Sequence, residues 1–229
     1  MNFEVLENSN SPIVCNVPYS GLIIPDNFKD EYKLGREELE DEVLYMADNY
    51  TDQLFSKLLF VSSFIKSNLS RLVVDIERFQ DEEQEPMSKV GMSAFYTKTS
   101  NGDVLRDISN ENRQLLQGIY QLYHSNFEKL VEQALEKYSY AIIVDCHSFA
   151  SKPRLYELDK EFRPDICIGF EVFHSDPMLI KSLEESFVAL GYSVKLNSPF
   201  TGSIVPTRYY QKDKRVISIM IEVNRYIYE

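Results

Sequence analysis

The sequence predicts an α/β sandwich built on a largely parallel sheet, and two observations lead to this fold class. Short runs rich in Val and Ile alternate along the chain with longer stretches whose apolar residues recur at helical spacing. Several of the short runs are almost continuously apolar, which is typical of strands covered on both faces. The chain has 229 residues, of which 44% are hydrophobic. We therefore expect one packed domain over residues 1–229.

The short apolar runs are the predicted strands. They are residues 12–17, 64–68, 71–76, 141–146, 165–170, 192–197 and 216–223. Helical spacing predicts helices over 36–60 and 112–138, and over 177–191, a segment that begins with Pro and ends at Gly. The polar segment 80–93 is expected to be a long loop. The Ser-Asn-Gly at 100–102 is a turn signal that could close a hairpin.

Charge and composition exclude several classes of protein. Lys and Arg number 24 against 36 Asp and Glu, and a net charge of -12 opposes binding to nucleic acid or anionic lipid. No signal peptide and no apolar run of about 20 residues is present, so no membrane partner is expected and the predicted location is cytoplasmic. No glycine-rich phosphate loop occurs among the eight glycines. The oligomeric state stays open.

The three cysteines favour buried thiols over a redox or metal motif. Each lies in an apolar run, and none forms a CxxC pair. A nucleophilic role for Cys146 next to His147 is disfavoured, because adjacent residues of a strand point to opposite faces.

Polar residues follow several predicted strands at the point where each strand ends. The segments are PYSG at 18–21, DIERF at 75–79, DCHSF at 145–149 and NSPFTGS at 197–203, and Glu222 interrupts the last apolar run. In open α/β sheets, ligands bind beyond the carboxyl ends of the strands. The sequence therefore predicts a common site here, with His147, one of only three histidines, among its residues.

Read in order, these motifs resemble the N-formylglutamate amidohydrolase family, which shares its fold with zinc carboxypeptidases and aspartoacylase. The matching segments are PYSG (18–21), DNYTDQLF (48–55), SRLVVDIERF (70–79), NGD (101–103), YH (123–124), DCHS (145–148), NSPFTG (197–202) and IEVNRYIY (221–228). The resemblance implies a three-layer sandwich with a mixed, largely parallel central sheet flanked by helices, of the phosphorylase/hydrolase-like kind. It also implies a metal-dependent hydrolase that cleaves the amide of a small N-acyl amino acid such as N-formylglutamate.

The resemblance also assigns roles to individual residues. His147 and Asp48 correspond to metal ligands, and Glu222 to the general base that moves a proton from water to the leaving nitrogen. From the residues alone, His147 could instead be a hydrogen-bonded strand-end histidine, and Asp48 a solvated helical residue that shares a face with Asp52. Asp145 could orient the imidazole or cap a turn.

Substrate binding is expected to involve arginines, because the family's substrates carry carboxylates. Arg71 and Arg78 match two family arginines, and Arg208 falls close to a third. Each could also be half of a surface ion pair. Gly202 belongs to a loop that could either line the ligand or form an ordinary turn.

Two departures from the family pattern concern the metal. Tyr19 stands where the family has the histidine of its first turn, and Glu77 stands where it has an asparagine. The resemblance implies zinc, but one histidine with carboxylates suits manganese or magnesium better, and a site without metal stays an alternative. Glu77 would add negative charge beside Arg78. The alternative function is therefore a degenerate family member that binds a small acidic ligand or partner without turnover.

Overall fold

A central sheet organises the protein. The computed structural model describes residues 2–8, 10–154 and 162–229. Within them the strands are β1 Phe3–Leu6, β2 Ile13–Val17, β3 Ser63–Ser67, β4 Ala141–Phe149, β5 Ile166–Gly169, β6 Val194–Leu196 and β7 Val216–Asn224. They form one sheet in the order β1-β3-β2-β4-β7-β5-β6. The β1/β3 and β7/β5 pairs are antiparallel and the other pairs are parallel, which confirms the predicted mixed, largely parallel sheet.

Helices cover both faces of this sheet. They are α1 Asp26–Lys29, α2 Arg36–Met46, α3 Thr51–Leu54, α4 Ser56–Val61, α5 Asn110–Tyr138 and α6 Pro177–Ala189, with short 3-10 turns at Pro86–Val90, Val172–His174 and Arg225–Ile227. One apolar core packs α5 against one face, and a second core packs α4 and α6 against the other. The predicted α/β sandwich is therefore confirmed. None of the described helices is both long and apolar enough to cross a bilayer.

The two longest strands lie next to each other at the centre of the sheet. β4 and β7 pair in parallel over nine residues, from Ala141 opposite Val216 to Phe149 opposite Asn224. Cross-strand partners of adjacent strands share one face of a sheet. The same register sets His147 beside Glu222 near the carboxyl ends of both strands.

The helix predicted over 36–60 is broken in the structure. α2 ends at Met46, and the chain turns before α3 begins at Thr51. The backbone N–H of Asp48 donates to the carbonyl of Tyr19 at 2.9 Å, which fixes this turn against the end of β2. The expectation that Asp48 shares a helical face with Asp52 is therefore wrong. The turn points Asp48 into the protein, where it is buried.

The segment 71–76 is buried as predicted, but it is not a strand. It runs as a series of turns after β3. Side chains satisfy its carbonyls: the buried guanidinium of Arg106 donates to Val73 at 2.8 Å, and the hydroxyl of Tyr32 donates to Leu72 at 3.0 Å. An apolar run reports burial, and burial leaves open which groups complete the backbone hydrogen bonds. The edge strand β1, which is short and half exposed, was not predicted.

Candidate active site

A cavity of about 380 Å³ opens at the carboxyl ends of β4 and β7. Its walls combine acids, arginines and aromatic rings. Six of the residues predicted from the sequence line it, namely Tyr19, Asp48, Arg71, Arg78, His147 and Glu222. Segments as far apart in the chain as the turn after β2 and the end of β7 therefore meet in one place.

His147 lies at the centre of a group of carboxylates. Its Nδ1 is 3.1 Å from Oδ2 of Asp48, and its Nε2 is 3.0 Å from Oδ1 of Asp145 and 3.2 Å from Oε2 of Glu77. Nε2 is buried, yet neither of its neighbouring oxygens has the geometry of a hydrogen bond to it. Burial alone would lower the pKa of His147, but the charges of Asp145 and Glu77 raise it well above its usual value.

Asp48 contacts the imidazole on the Nδ1 side. Its Oδ2 also accepts the backbone N–H of Ser148 at 3.1 Å, and its Oδ1 accepts from Arg225 at 3.2 Å. Burial opposes the charged form of Asp48, but the hydrogen bond and charge of His147 and the charge of Arg225 lower its pKa overall. Asp48 is thus an ionised acceptor that fixes the orientation of the ring.

Glu77 and Asp145 face the Nε2 side of the same ring. Ligand atoms of these two acids and of His147 lie within 4.8 Å of one another. Burial and the neighbouring charge of Asp145 raise the pKa of Glu77 to about 7. One imidazole nitrogen and two carboxylates are donors that manganese, magnesium or zinc accept in proteins, so these residues fit a divalent cation. Sequence reasoning treated Glu77 only as a charge beside Arg78 and missed this convergence.

Glu222 is a buried carboxyl with an unused acceptor. It is 7% exposed, and its Oε2 has no hydrogen-bond partner among the described residues. Burial raises its pKa to about 8; the charge of His147 opposes the shift, while those of Asp48 and Asp145 add to it. A carboxyl with a pKa near neutrality can both accept and release a proton at physiological pH.

Tyr19 points its hydroxyl away from the cation-binding candidates. The hydroxyl donates to Oδ1 of Asp75 at 2.6 Å, while the ring lies 5.3 Å from the ring of His147. Burial and the charge of Asp75 raise the pKa of Tyr19 well above its usual value, so the phenol stays neutral.

The turn that follows needs Gly21, because a Cβ there would lie 2.4 Å from the carbonyl carbon of Asn68.

Arg71 and Arg78 form the cationic wall of the cavity. Arg71 binds Asp75 through Nε at 3.1 Å and Nη2 at 2.6 Å, and its guanidinium stacks 3.7 Å from the centroid of the Tyr19 ring. Arg78 lies 3.6 Å from Asp75 and 4.0 Å from Glu85. Both guanidinium groups are anchored from behind and line the cavity.

Two predicted substrate-binding residues lie elsewhere. Arg208 is 55% exposed and pairs with Glu132 at 2.8 Å and with Glu128 on the outer surface of α5, so it does not line the cavity. Its position in the sequence matched the family pattern only after a shift, and the surface ion pair is what the structure contains. Gly202, with a φ of 85°, follows the 199–201 segment that lines the cavity and is not itself part of the wall.

Arg225 is a site residue to which sequence reasoning gave no role. It contacts Asp48, the carbonyl of Ala47 and the hydroxyl of Ser148. The signal was present, since an arginine three residues after Glu222 in an apolar run needs a buried partner. Which acid it binds depends on the turn before α3, and the sequence was predicted to be helical there.

The sequence and the fold both match known proteins. The chain matches the N-formylglutamate amidohydrolase family over residues 11–229. It belongs to that family. It is 25% identical over 226 residues to the N-formylglutamate deformylase of Pseudomonas putida, covering 95% of this chain and 81% of that protein. The predicted resemblance to the family is confirmed.

Two solved structures share the fold. The crystal structure of N-formylglutamate amidohydrolase from Ralstonia eutropha JMP134 superposes with a TM-score of 0.82 at 19% identity, covering 99% of this chain and 87% of that one. A gene product of Agrobacterium tumefaciens superposes with a TM-score of 0.72 at 18% identity, covering 98% and 85%. The family fold thus extends over nearly all of the present chain.

Proposed function

We propose that this member of the N-formylglutamate amidohydrolase family hydrolyses the amide bond of a small N-acyl amino acid, with N-formylglutamate as the first substrate to test. Family membership and the deformylase of P. putida support the reaction class. Glu222 supports the proposal most directly. It is a buried carboxyl with a pKa of about 8, and it lies next to His147, its register partner on the adjacent strand.

We propose that Glu77, Asp145 and Nε2 of His147 hold a divalent cation. A cation bound there would polarise the substrate carbonyl and lower the pKa of a water molecule. Two carboxylates with a single imidazole favour manganese or magnesium, whereas the family resemblance favours zinc. Asp48 keeps a role at the site, but as a positioning residue on Nδ1 in place of the ligand role expected from the sequence.

Glu222 is proposed as the general base and then the general acid. It takes a proton from the attacking water, and it returns that proton to the nitrogen as the C–N bond breaks, which releases the acid and the free amine. Both transfers need a pKa close to the working pH, and burial provides it. Oε2 of Glu222 has no hydrogen-bond partner among the described residues, so no other described side chain competes for the proton there.

Arg71 and Arg78 are proposed to bind a carboxylate of the substrate. Asp75 accepts two hydrogen bonds from Arg71 and lies 3.6 Å from Nε of Arg78, so one carboxylate pairs with both guanidinium groups at the cavity wall. A planar guanidinium binds a carboxylate through two hydrogen bonds, which orients as well as attracts the substrate. Arg208 is left out of this proposal because Glu132 already binds it at the surface.

One observation favours the alternative of binding without turnover. The hydroxyl of Tyr19 is committed to Asp75, so the first turn supplies no ligand to a cation. Release of formate and glutamate from N-formylglutamate by purified protein, with Mn²⁺, Mg²⁺ or Zn²⁺ added in turn, separates the two functions. We expect turnover with at least one cation. Binding of N-formylglutamate without any release would establish the alternative.

A further inference from the structure

We propose that Asn16, oriented by Tyr123, is a positioning residue that holds Glu77 and Asp145 together so that their oxygens converge on Nε2 of His147. The part of this inference that concerns cation affinity rests on the proposed function. The geometric part does not depend on it.

Asn16 bridges the two acids with a single amide nitrogen. It lies in the middle of β2 and is 0% exposed. Its Nδ2 donates to Oε1 of Glu77 at 2.6 Å and to Oδ1 of Asp145 at 2.8 Å. A primary amide carries two N–H donors, so each acid takes one of them. The bridge offsets the repulsion that two neighbouring carboxylates would otherwise feel.

Tyr123 determines which way the amide faces. This tyrosine projects from α5, is 1% exposed, and its hydroxyl donates to Oδ1 of Asn16 at 2.6 Å. A rotated amide would set its oxygen against the oxygens of Glu77 and Asp145 and would remove the amide donor from both carboxylates. The hydroxyl on one side and the carboxylates on the other therefore select a single orientation.

The bridge also sets which carboxylate oxygens lie close to Nε2 of His147. Glu77 is held through Oε1, so its Oε2 stays 3.2 Å from Nε2 of His147. Asp145 is held by Asn16 at Oδ1 and by the backbone N–H of Ile204 at Oδ2, 3.4 Å away. Its Oδ1 is kept 3.0 Å from Nε2. Helix α5 is thereby linked to the site by two successive contacts, from the hydroxyl of Tyr123 to Asn16 and from the amide of Asn16 to the two carboxylates.

Titration of the protein with Mn²⁺ alone, without substrate and at one fixed pH, measures this role. Loss of a hydrogen-bond partner behind a ligand commonly costs 10- to 100-fold in metal affinity. We expect Asn16→Leu, which keeps the branched arrangement of heavy atoms and removes both donors, to weaken Mn²⁺ binding by about 10- to 100-fold. Tyr123→Phe should weaken it in the same direction but less, because the amide loses only its orienting partner.

Tyr32→Phe is the matched control. It also deletes a buried hydroxyl, one that donates to the carbonyl of Leu72 at 3.0 Å and accepts from Arg106 at 3.2 Å, so its hydrogen bonds go to neither Glu77 nor Asp145. We expect it to lower the melting temperature without changing Mn²⁺ affinity. Equal weakening by Tyr32→Phe and Tyr123→Phe would reduce the effect to general destabilisation and overturn the proposal.

A readout without metal separates this inference from the proposed function. The ¹⁵N chemical shifts of the His147 ring report the environment of each nitrogen, and we expect Asn16→Leu and Tyr123→Phe to move the Nε2 signal while Tyr32→Phe leaves it unchanged. If the unmodified protein binds no Mn²⁺ but these shifts move, the cation proposal fails and the positioning role stands. An unmoved Nε2 signal in a folded Tyr123→Phe or Asn16→Leu variant would refute the positioning role.

Discussion

Two clusters that contain buried acids meet at the cavity, and they differ in how the carboxylate oxygens are satisfied. The Asp75 cluster consists of Asp75 with Tyr19, Arg71, Arg78 and Tyr96. Both oxygens of Asp75 are occupied: Oδ1 accepts from Tyr19 and Oδ2 from Arg71 and Tyr96. Burial would raise the pKa of Asp75, but these donors and the arginine charges lower it to about 2. This acid is therefore charged at neutral pH and serves as an anchor.

The His147 cluster consists of His147 with Asp48, Glu77, Asp145 and Glu222, so that four acids are grouped with a single imidazole. Within the part of the chain that the structure describes, Nε2 of His147 and Oε2 of Glu222 have no hydrogen-bond partner. Burial here raises the pKa of Glu77 to about 7 and that of Glu222 to about 8. Burial alone therefore does not set the protonation state of an acid. Two arginine charges, together with hydrogen-bond donors, keep Asp75 ionised, whereas neighbouring carboxylates add to the effect of burial on Glu77 and Glu222.

Glu222→Gln should have the largest effect, since it removes the proton carrier while keeping the shape of the side chain. General acid–base groups commonly contribute about 10²- to 10⁴-fold to a rate. We expect kcat for N-formylglutamate to fall within that range while Mn²⁺ affinity stays close to that of the unmodified protein. Formate release at saturating substrate measures it. A variant that keeps full kcat would show that Glu222 is not the base.

Asp75→Asn should destabilise the fold, since it leaves Arg71 and Arg78 as buried charges without their counter-ion. Breaking a buried ion pair typically costs about 3–5 kcal/mol, and urea unfolding at pH 7 measures it. In the folded protein the pKa of Asp75 is about 2, below the usual 3.8, so its charge stabilises the fold fully above pH 3.8. This stabilisation is lost as the pH falls from 3.8 through 2. Over that range, the difference in the free energy of unfolding between Asp75→Asn and the unmodified protein should become smaller. A difference that does not change with pH would contradict the role of the charge.

Glu77→Gln should weaken Mn²⁺ binding and spare the stability of the fold, whereas Asp75→Asn should mainly lower that stability. It removes a charge from the cluster with surplus acid and leaves an oxygen that can still accept from Asn16. We expect Mn²⁺ affinity to fall by at least about tenfold, as for the loss of a ligand or its support, while urea stability of the metal-free protein is maintained. Isothermal titration calorimetry gives the first quantity. Strong destabilisation with unchanged affinity would erase the contrast between the clusters.

Tyr96→Phe should have the smallest effect, because it deletes one donor to Asp75 and leaves the others. Its hydroxyl donates to Oδ2 at 2.7 Å, and a hydrogen bond to a charged group is worth about 1.5–3 kcal/mol. We expect a loss near the lower figure in urea unfolding and little change in kcat. A large loss of kcat with intact stability would move the Asp75 cluster from anchor to active participant.

The sheet and most of the cavity could be predicted from the sequence, because an apolar run marks a strand and the polar residues at its end mark the site. Apolar runs located β4 and β7, and the polar residues that end them located His147 and Glu222. The contact of Glu77 with His147 could not be predicted, since Glu77 follows a turn segment whose apolar residues predict a strand and the two residues lie 70 positions apart in the chain. The prediction that Arg208 binds substrate was wrong, because its spacing in the sequence does not distinguish a residue of the cavity wall from one that pairs with acids on the surface of a helix.

The most direct test of the proposed cation site is a crystal of the protein soaked in Mn²⁺ and measured for anomalous scattering. We expect one strong manganese peak within bonding distance of Glu77, Asp145 and Nε2 of His147, and none at Asp75. A peak against Asp48 in place of Nε2, or no peak near His147 at a concentration that supports turnover, would contradict it.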